Sequence, residues 1–256
     1  MTKPFADKIA VVTGASRGIG YFTARALAEA GAHVIAVART EGGLTDLDDE
    51  IRAAGNSATL VPLDLTDYDA LDRLGATIYE RWGKLDILVG NAGLLGELAP
   101  LGHIEIKAWE QTFNVNVTAN WRLIRSFDPL FKRSEAARLA FLTSGAAHKC
   151  RAFWGVYSAS KAALEALART YAEETRNSPT RVNLFNPGPV RTGMRARAMP
   201  GEDPETLPHP SELAPAILNL VSPSIDVTGK IYDYPTSTFL TPGMPTPDDA
   251  APVIGF

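Results

Sequence analysis

Tyr157 and Lys161 stand four residues apart in Tyr157-Ser-Ala-Ser-Lys161, where Ala159, Ala162, Ala163, Leu164 and Leu167 begin to recur at helical spacing. Residues at i and i+4 share one helix face, so an ammonium can sit beside a phenol. A free tyrosine has a pKa of about 10, too high for a good general base near neutral pH. A nearby cation favours the phenolate. Lowering the pKa by roughly three units takes about 4 kcal/mol. One unit charge at about 4 Å supplies about that much at an effective dielectric near 20. The pair therefore predicts a proton-passing tyrosine with its pKa lowered by the lysine. The same spacing also occurs where a tyrosine is merely packed and a lysine merely solvated. Its chemistry rests on whether the chain also supplies a cofactor site and an oxygen-stabilising hydroxyl.

A candidate cofactor site stands at the start of the chain. Ile9 to Thr13 is a short β-branched run that reads as a buried strand. Gly14-Ala-Ser16-Arg17-Gly18-Ile19-Gly20 follows, and Phe22, Ala26, Leu27 and Ala30 then repeat at helical spacing up to Gly31. Strand, glycine loop and helix form the context of a dinucleotide-binding turn. The glycines let backbone approach a pyrophosphate, whose charge a helix N-terminus favours. The spacing is G-x-x-x-G-x-G, not the more familiar G-x-G-x-x-G. A second strand spans His33 to Ala38, with Arg39 after it and no acid at its end. An acid there would bond a ribose 2′-hydroxyl, whereas arginine suits a 2′-phosphate. Arg39, with Arg17 in the glycine loop, makes NADP(H) the expected cofactor.

The alternation continues. A helix is expected around residues 41–54, a strand at 58–63, a helix at 68–82 and a strand at 85–89. Asp64 follows the third strand, as a contact to the adenine edge or as a plain strand-end cap. Asn91-Ala92-Gly93 follows the fourth and lets backbone come close to a cofactor ribose. Residues 106–133 read as a helix interrupted near Asn114–Asn116, since asparagine is unfavourable in a helix interior. A fifth strand, 138–143, ends at Ser144. A sixth, 181–185, ends in Asn186-Pro187-Gly188-Pro-Val-Arg-Thr192, and a last strand is expected at 230–234. Ligands bind outside the carboxyl ends of strands in doubly wound sheets. The loop glycines, Asn91, Ser144 and the Tyr157–Lys161 helix all converge there. Cys150, Phe153, Trp154 and Leu94–Leu95 are expected to face the pocket, which suits a partly apolar ligand.

The reading is α/β: a doubly wound parallel sheet of about seven strands with helices on both faces. The 256 residues suit one domain, with a core at about 6–234. Thirteen of the 18 prolines lie after Phe185, which predicts an irregular final third. It comprises a lid at about 189–210, with a short helix at 194–199, and a Pro-rich tail at 235–256. A net charge of −4 gives no reason to expect nucleic acid or an anionic membrane as partner. One cysteine excludes an intrachain disulfide and fits a reducing, cytoplasmic setting. The start lacks a signal-peptide core, and no run of about 18 apolar residues could span a membrane. The four histidines are scattered, so no metal site is expected.

These motifs together resemble the short-chain dehydrogenase/reductase family over about 6–234. The resemblance rests on Thr13-Gly-Ala-Ser-Arg-Gly-Ile-Gly20, Asp64, Asn91-Ala-Gly93, Asn116, Ser144, Tyr157-Ser-Ala-Ser-Lys161 and Pro187-Gly188. It implies a single-domain Rossmann-type fold and an oxidoreductase that exchanges hydride between NADP(H) and a small carbonyl or alcohol substrate. Tyr157 would be the general acid/base, with Lys161 lowering its pKa and holding the nicotinamide ribose. Ser144 would bond the substrate oxygen, Asn116 would position a relay water, and Thr192 would bond the nicotinamide carboxamide. It further implies a homodimer or homotetramer through the helices at 106–133 and 155–176. A cofactor-bound sensor or scaffold without turnover is the alternative, although no family catalytic position is replaced here.

Overall fold

The structure, a computed structural model, describes residues 3–243. The runs read as strands and helices form, in chain order, β1 (Ile9–Thr13), α1 (Gly18–Glu29), β2 (His33–Ala38), α2 (Glu41–Ala53), β3 (Ala58–Pro62), α3 (Tyr68–Trp82) and β4 (Ile87–Gly90). There follow α4 (Ile106–Phe113), α5 (Ala119–Phe131), β5 (Arg138–Leu142), α6 (Ala146–Lys149), α7 (Gly155–Glu174) and β6 (Arg181–Asn186). The chain continues through α8 (Gly193–Ala198), α9 (Ala214–Leu220), β7 (Ile231–Asp233) and β8 (Thr238–Leu240). Local chemistry explains the clearest boundaries. The Asp67 carboxylate accepts the Ala70 N–H at 3.0 Å and starts α3. Gly83, at φ +69°, ends it in the left-handed conformation that glycine tolerates.

The strands form one sheet in the order β3-β2-β1-β4-β5-β6-β7-β8. Every neighbouring pair from β3 to β7 is parallel, as short helical crossovers require. The order reverses between β1 and β4, which opens a crevice at their carboxyl ends. Both sheet faces are covered. On one, Leu71 and Leu74 of α3, Leu123 and Phe127 of α5 and Leu164 and Ala168 of α7 pack on Val11, Leu88 and Phe141. On the other, Leu27 of α1, Leu44 and Leu47 of α2 and Ile217 of α9 pack on Ala10, Val34 and Val89. Burial on both faces is why β1, β2, β4 and β5 read as continuous apolar runs and not as alternating ones.

Two differences from the sequence reading have plain causes. The sheet has eight strands: β8, in the stretch expected to be irregular, pairs antiparallel with β7 at Ile231–Leu240, Tyr232–Phe239 and Asp233–Thr238. Three residues bounded by turn formers are too short to register as a periodic run. The rest of the Pro-rich tail, 244–256, lies outside the described residues. The expected break in the 106–133 helix is a π segment, Asn114–Thr118, between α4 and α5. Such single turns insert a residue into a helix and re-aim its side chains. Among the described residues, no helix is long and apolar enough to cross a membrane.

Candidate active site

The carboxyl ends of β1 and β4 are stitched together by Thr13 and Asn91. The Thr13 hydroxyl accepts the N–H groups of Asn91 and Ala92, each at 3.1 Å. The Asn91 amide donates to the Thr13 and Gly14 carbonyls at 2.8 and 3.2 Å. A side chain on Gly14 or Gly20 would run into that same amide nitrogen. The glycines thus let the loop lie directly against the end of β4. At the head of α1, Arg17 occupies the N-cap position without a side-chain cap, and the first turn carries no acid. Its backbone N–H groups are left for an anion.

A cavity of about 700 Å³ runs from this loop across the sheet edge. Ser16, Arg17, Gly18, Ile19, Arg39 and Asp64 line one end. Arg39 stands 3.6 Å from the Asp64 carboxylate, both half exposed. Burial opposes ionisation of Asp64, but the Thr66 N–H and hydroxyl and the Arg39 guanidinium hold its carboxyl below the ordinary value. Asp64 therefore steers Arg39, a role that the sequence reading did not assign to it.

At the other end the cavity is lined by Asn91, Ala92, Gly93, Ser144, Tyr157 and Lys161, and by Pro187, Gly188 and Thr192 beyond β6. Every catalytic or cofactor-binding residue expected from the sequence lines the cavity except Gly20 and Asn116, which act from behind it. The Asn116 side chain is fully buried. Its carbonyl oxygen accepts the Leu94 N–H at 2.7 Å, and its amide donates to the Leu94 carbonyl and the Ser160 hydroxyl, both at 2.9 Å. It pins the loop after β4 to α7.

Tyr157 and Lys161 are almost wholly buried, with 8% and 4% exposed. Lys161 donates from Nζ to the Leu142 carbonyl at 2.8 Å, and Nζ lies 5.8 Å from the centre of the Tyr157 ring. Burial pulls the lysine down to about 8, against the Glu165 carboxylate. Burial also pushes the Tyr157 phenol up, and the Ser144 hydroxyl opposes that rise. The net direction for the phenol is upward even with Lys161 alongside. Its ammonium is engaged by a strand carbonyl, and desolvation of the phenol dominates.

The segment over the cavity folds as α8, six residues, close to the expected short helix. Thr192 caps it by accepting the Arg195 N–H at 3.2 Å. Arg195 is bound to both oxygens of Glu202, so it is spoken for within the segment itself. Trp154, Leu94 and Leu95 line the cavity as expected. Cys150 and Phe153 do not: both are exposed, in left-handed backbone at φ +43° and +71°. That conformation turns them outward from the loop before α7. Sequence reasoning also passed over Thr13 as a clamp and Gly43, where a side chain would strike the Ser16 carbonyl. Both act across elements distant in sequence; only the β-strand ending at Thr13 was visible in advance.

The chain matches the profile of one protein family, described as short chain dehydrogenase, over residues 8–203. It is similar to YciK of Escherichia coli K12, an uncharacterized oxidoreductase: 37% identical over 231 residues, or 89% of this chain and 91% of that one. Two solved structures lie equally near, each with a TM-score of 0.87 over 91% of this chain. One, assigned as a short chain dehydrogenase from Shigella flexneri 2a and complexed with NADP, is 35% identical and covered to 99%. The other, from Escherichia coli CFT073 and complexed with NADPH, is 36% identical and covered to 98%.

Proposed function

Since the chain belongs to the short-chain dehydrogenase family, we propose that it is an NADP(H)-dependent oxidoreductase that interconverts a carbonyl and a hydroxyl on a small, partly apolar substrate. The observation that carries this reading is the single cavity with Arg17 and Arg39 at one end and Ser144, Tyr157 and Lys161 at the other. A dinucleotide fits the features between: an uncapped helix N-terminus for the pyrophosphate and glycines that leave backbone uncovered. Arg39, with no acid at Ala38, suits a 2′-phosphate.

When bound, the cofactor supplies the hydride chemistry. The chain's own residues then bind, orient and move the proton. Ser144 presents its hydroxyl to the substrate oxygen. Tyr157 Oη gives a proton to that oxygen on reduction and takes it back on oxidation. The raised phenol pKa keeps Oη protonated, as a donor must be, and opposes its taking the proton back. Lys161 holds positive charge beneath Tyr157 and steadies the ribose end, while Asn116 fixes the loop against which the ribose lies. Thr192 bonds the carboxamide end of the cofactor. Leu94, Leu95, Val115 and Trp154 favour an apolar substrate body and exclude water. We further propose a homo-oligomer in the cytoplasm. It is supported by apolar side chains left exposed on α4 and α5 (Ile106, Trp109 and Trp121) and by the exposed Ala162 and Ala166 of α7.

The test is NADPH consumption across a panel of aldehydes, ketones and quinones. Turnover is expected with some of them. Tyr157→Phe should lower it by about 100-fold or more, the scale of general acid catalysis, with NADPH binding retained. Tight NADPH binding without turnover on any of the panel would favour the sensor alternative. Full activity in the Tyr157→Phe variant would remove the mechanism.

A further inference from the structure

Glu165 is a carboxylate with no part in the chemistry above, yet it is only 4% exposed. It lies on α7 one turn beyond Lys161. Its two oxygens are taken by side chains that bracket Ser144 in the chain. Oε1 accepts the Thr143 hydroxyl at 2.5 Å, and Oε2 meets His148 Nε2 at 2.9 Å. Thr143 precedes Ser144 at the end of β5, and its backbone N–H donates to the Phe185 carbonyl at 2.9 Å. His148 lies on α6, just after Ser144, with its ring largely in solvent.

We propose that Glu165 is a positioning residue: it clamps the two ends of the Ser144 turn to the helix that carries Tyr157 and Lys161, and it sets a carboxylate one turn from Lys161. The proposal rests on the reading of Ser144, Tyr157 and Lys161 as the reaction centre. A buried carboxylate is costly without partners, and here the partners come from both flanks of one turn. Charge-assisted hydrogen bonds of this kind are stronger than neutral ones. The ionisable groups around the lysine are Tyr157 and Glu165 on its own helix, with His148 of α6 facing Glu165. The neighbouring π segment contributes only the neutral Asn116, and β5 contributes the Leu142 carbonyl. Among the described residues, Glu165 is the carboxylate that favours the charged form of Lys161, against its burial.

Two measurements on the full chain test this. The first is hydrogen exchange of the amides in 143–150. Glu165→Gln should raise it about 10-fold or more, the scale of a lost charged hydrogen bond, while β1 and α1 are unchanged. His148→Ala, which leaves Glu165 its bond to Thr143, should raise exchange across 145–150 to a smaller degree. The second is NADPH titration by fluorescence between about pH 6 and 9. Affinity should fall as Lys161 loses its proton, and Glu165→Gln should move that midpoint down by about half a unit or more. A purely structural role would leave the midpoint in place. Unchanged exchange in both variants, or an unmoved midpoint in Glu165→Gln, overturns the proposal. A wild-type protein that binds no NADPH would remove the cofactor reading, and the exchange experiment would then decide the clamp alone.

Discussion

Lys161 is where placement and stability conflict. Its pKa falls from about 10.5 in the unfolded chain to about 8 in the fold. The folded state therefore binds fewer protons between these values. Stability from this group rises as pH climbs from about 8 towards about 10.5, and at neutral pH its burial is a standing cost of about 3 kcal/mol. Lys161→Met removes that cost but also forfeits the bond to Leu142, worth about 1 kcal/mol. The variant should be more stable by about 2 kcal/mol, read as a higher urea midpoint at pH 7, and should have lost turnover. A lower midpoint would show that the ammonium is not a burden. At the cofactor's other end, Arg39→Ala should weaken NADPH about 10-fold or more, as expected for a lost charged hydrogen bond, and leave NADH nearly unchanged. Isothermal titration of both cofactors checks this. An equal loss for both would mean that Arg39 does not read the phosphate.

The loop between β1 and α1 owes its shape to the strand beside it. A side chain on Gly20 would overlap the Gly14 carbonyl and the Asn91 amide, which are backbone and a committed hydrogen-bond donor. Neither can yield without breaking the β1–β4 stitch. Gly20→Ala is thus an overpacking change and should cost about 2 kcal/mol or more in chemical unfolding, with weaker NADPH binding alongside. Gly55→Ala is a useful contrast. Its backbone is also left-handed, at φ +75°, but its space is open, so its cost is backbone strain alone, about 1 kcal/mol. Equal stability of Gly20→Ala and wild type would refute the close-packing account. The break at Asn116 has the same character. The sequence marked an asparagine out of place in a helix; the π turn shows that it is aimed at the Leu94 backbone.

Across the whole molecule, the cavity is covered by a segment with little hold on the core. The six residues of α8 include none that is buried. Its fastenings are ion pairs within the segment and its borders, Arg195 with Glu202 and Arg191 with Glu205 at 2.8 Å. Segments with few buried apolar contacts open at low free energy. We expect residues 193–209 to close over bound cofactor and to loosen without it. Trypsin should cut first after the exposed Arg197, and NADP⁺ should slow that cut far more than cuts elsewhere. Glu202→Gln, which frees Arg195, should add a second early cut. Equal cleavage with and without saturating cofactor would sink the lid. The oligomer belongs to the same scale: light scattering at working concentration should give a multiple of 27.5 kDa. A monomer mass would show that Trp109 and Trp121 are simply exposed.

By itself, the sequence determined most of the fold and most of the cavity lining. Doubly buried strands leave continuous apolar runs, and glycine loops and turn-forming residues mark where they end. That is local information, so Ile9–Thr13, His33–Ala38 and the helix at 68–82 appear with the bounds read from it. Tertiary structure decided what no window of residues contains. Strand order put Asn91 beside Thr13, 78 residues away, and made the glycines necessary. Loop backbone turned Phe153 out of the pocket that its neighbours line. Burial of Tyr157, which comes from elements distant in sequence, pushes its phenol upward although Lys161 stands one turn away. Spacing can set an ammonium beside a phenol, but the surrounding dielectric and the competing carbonyl of Leu142 decide what that proximity is worth.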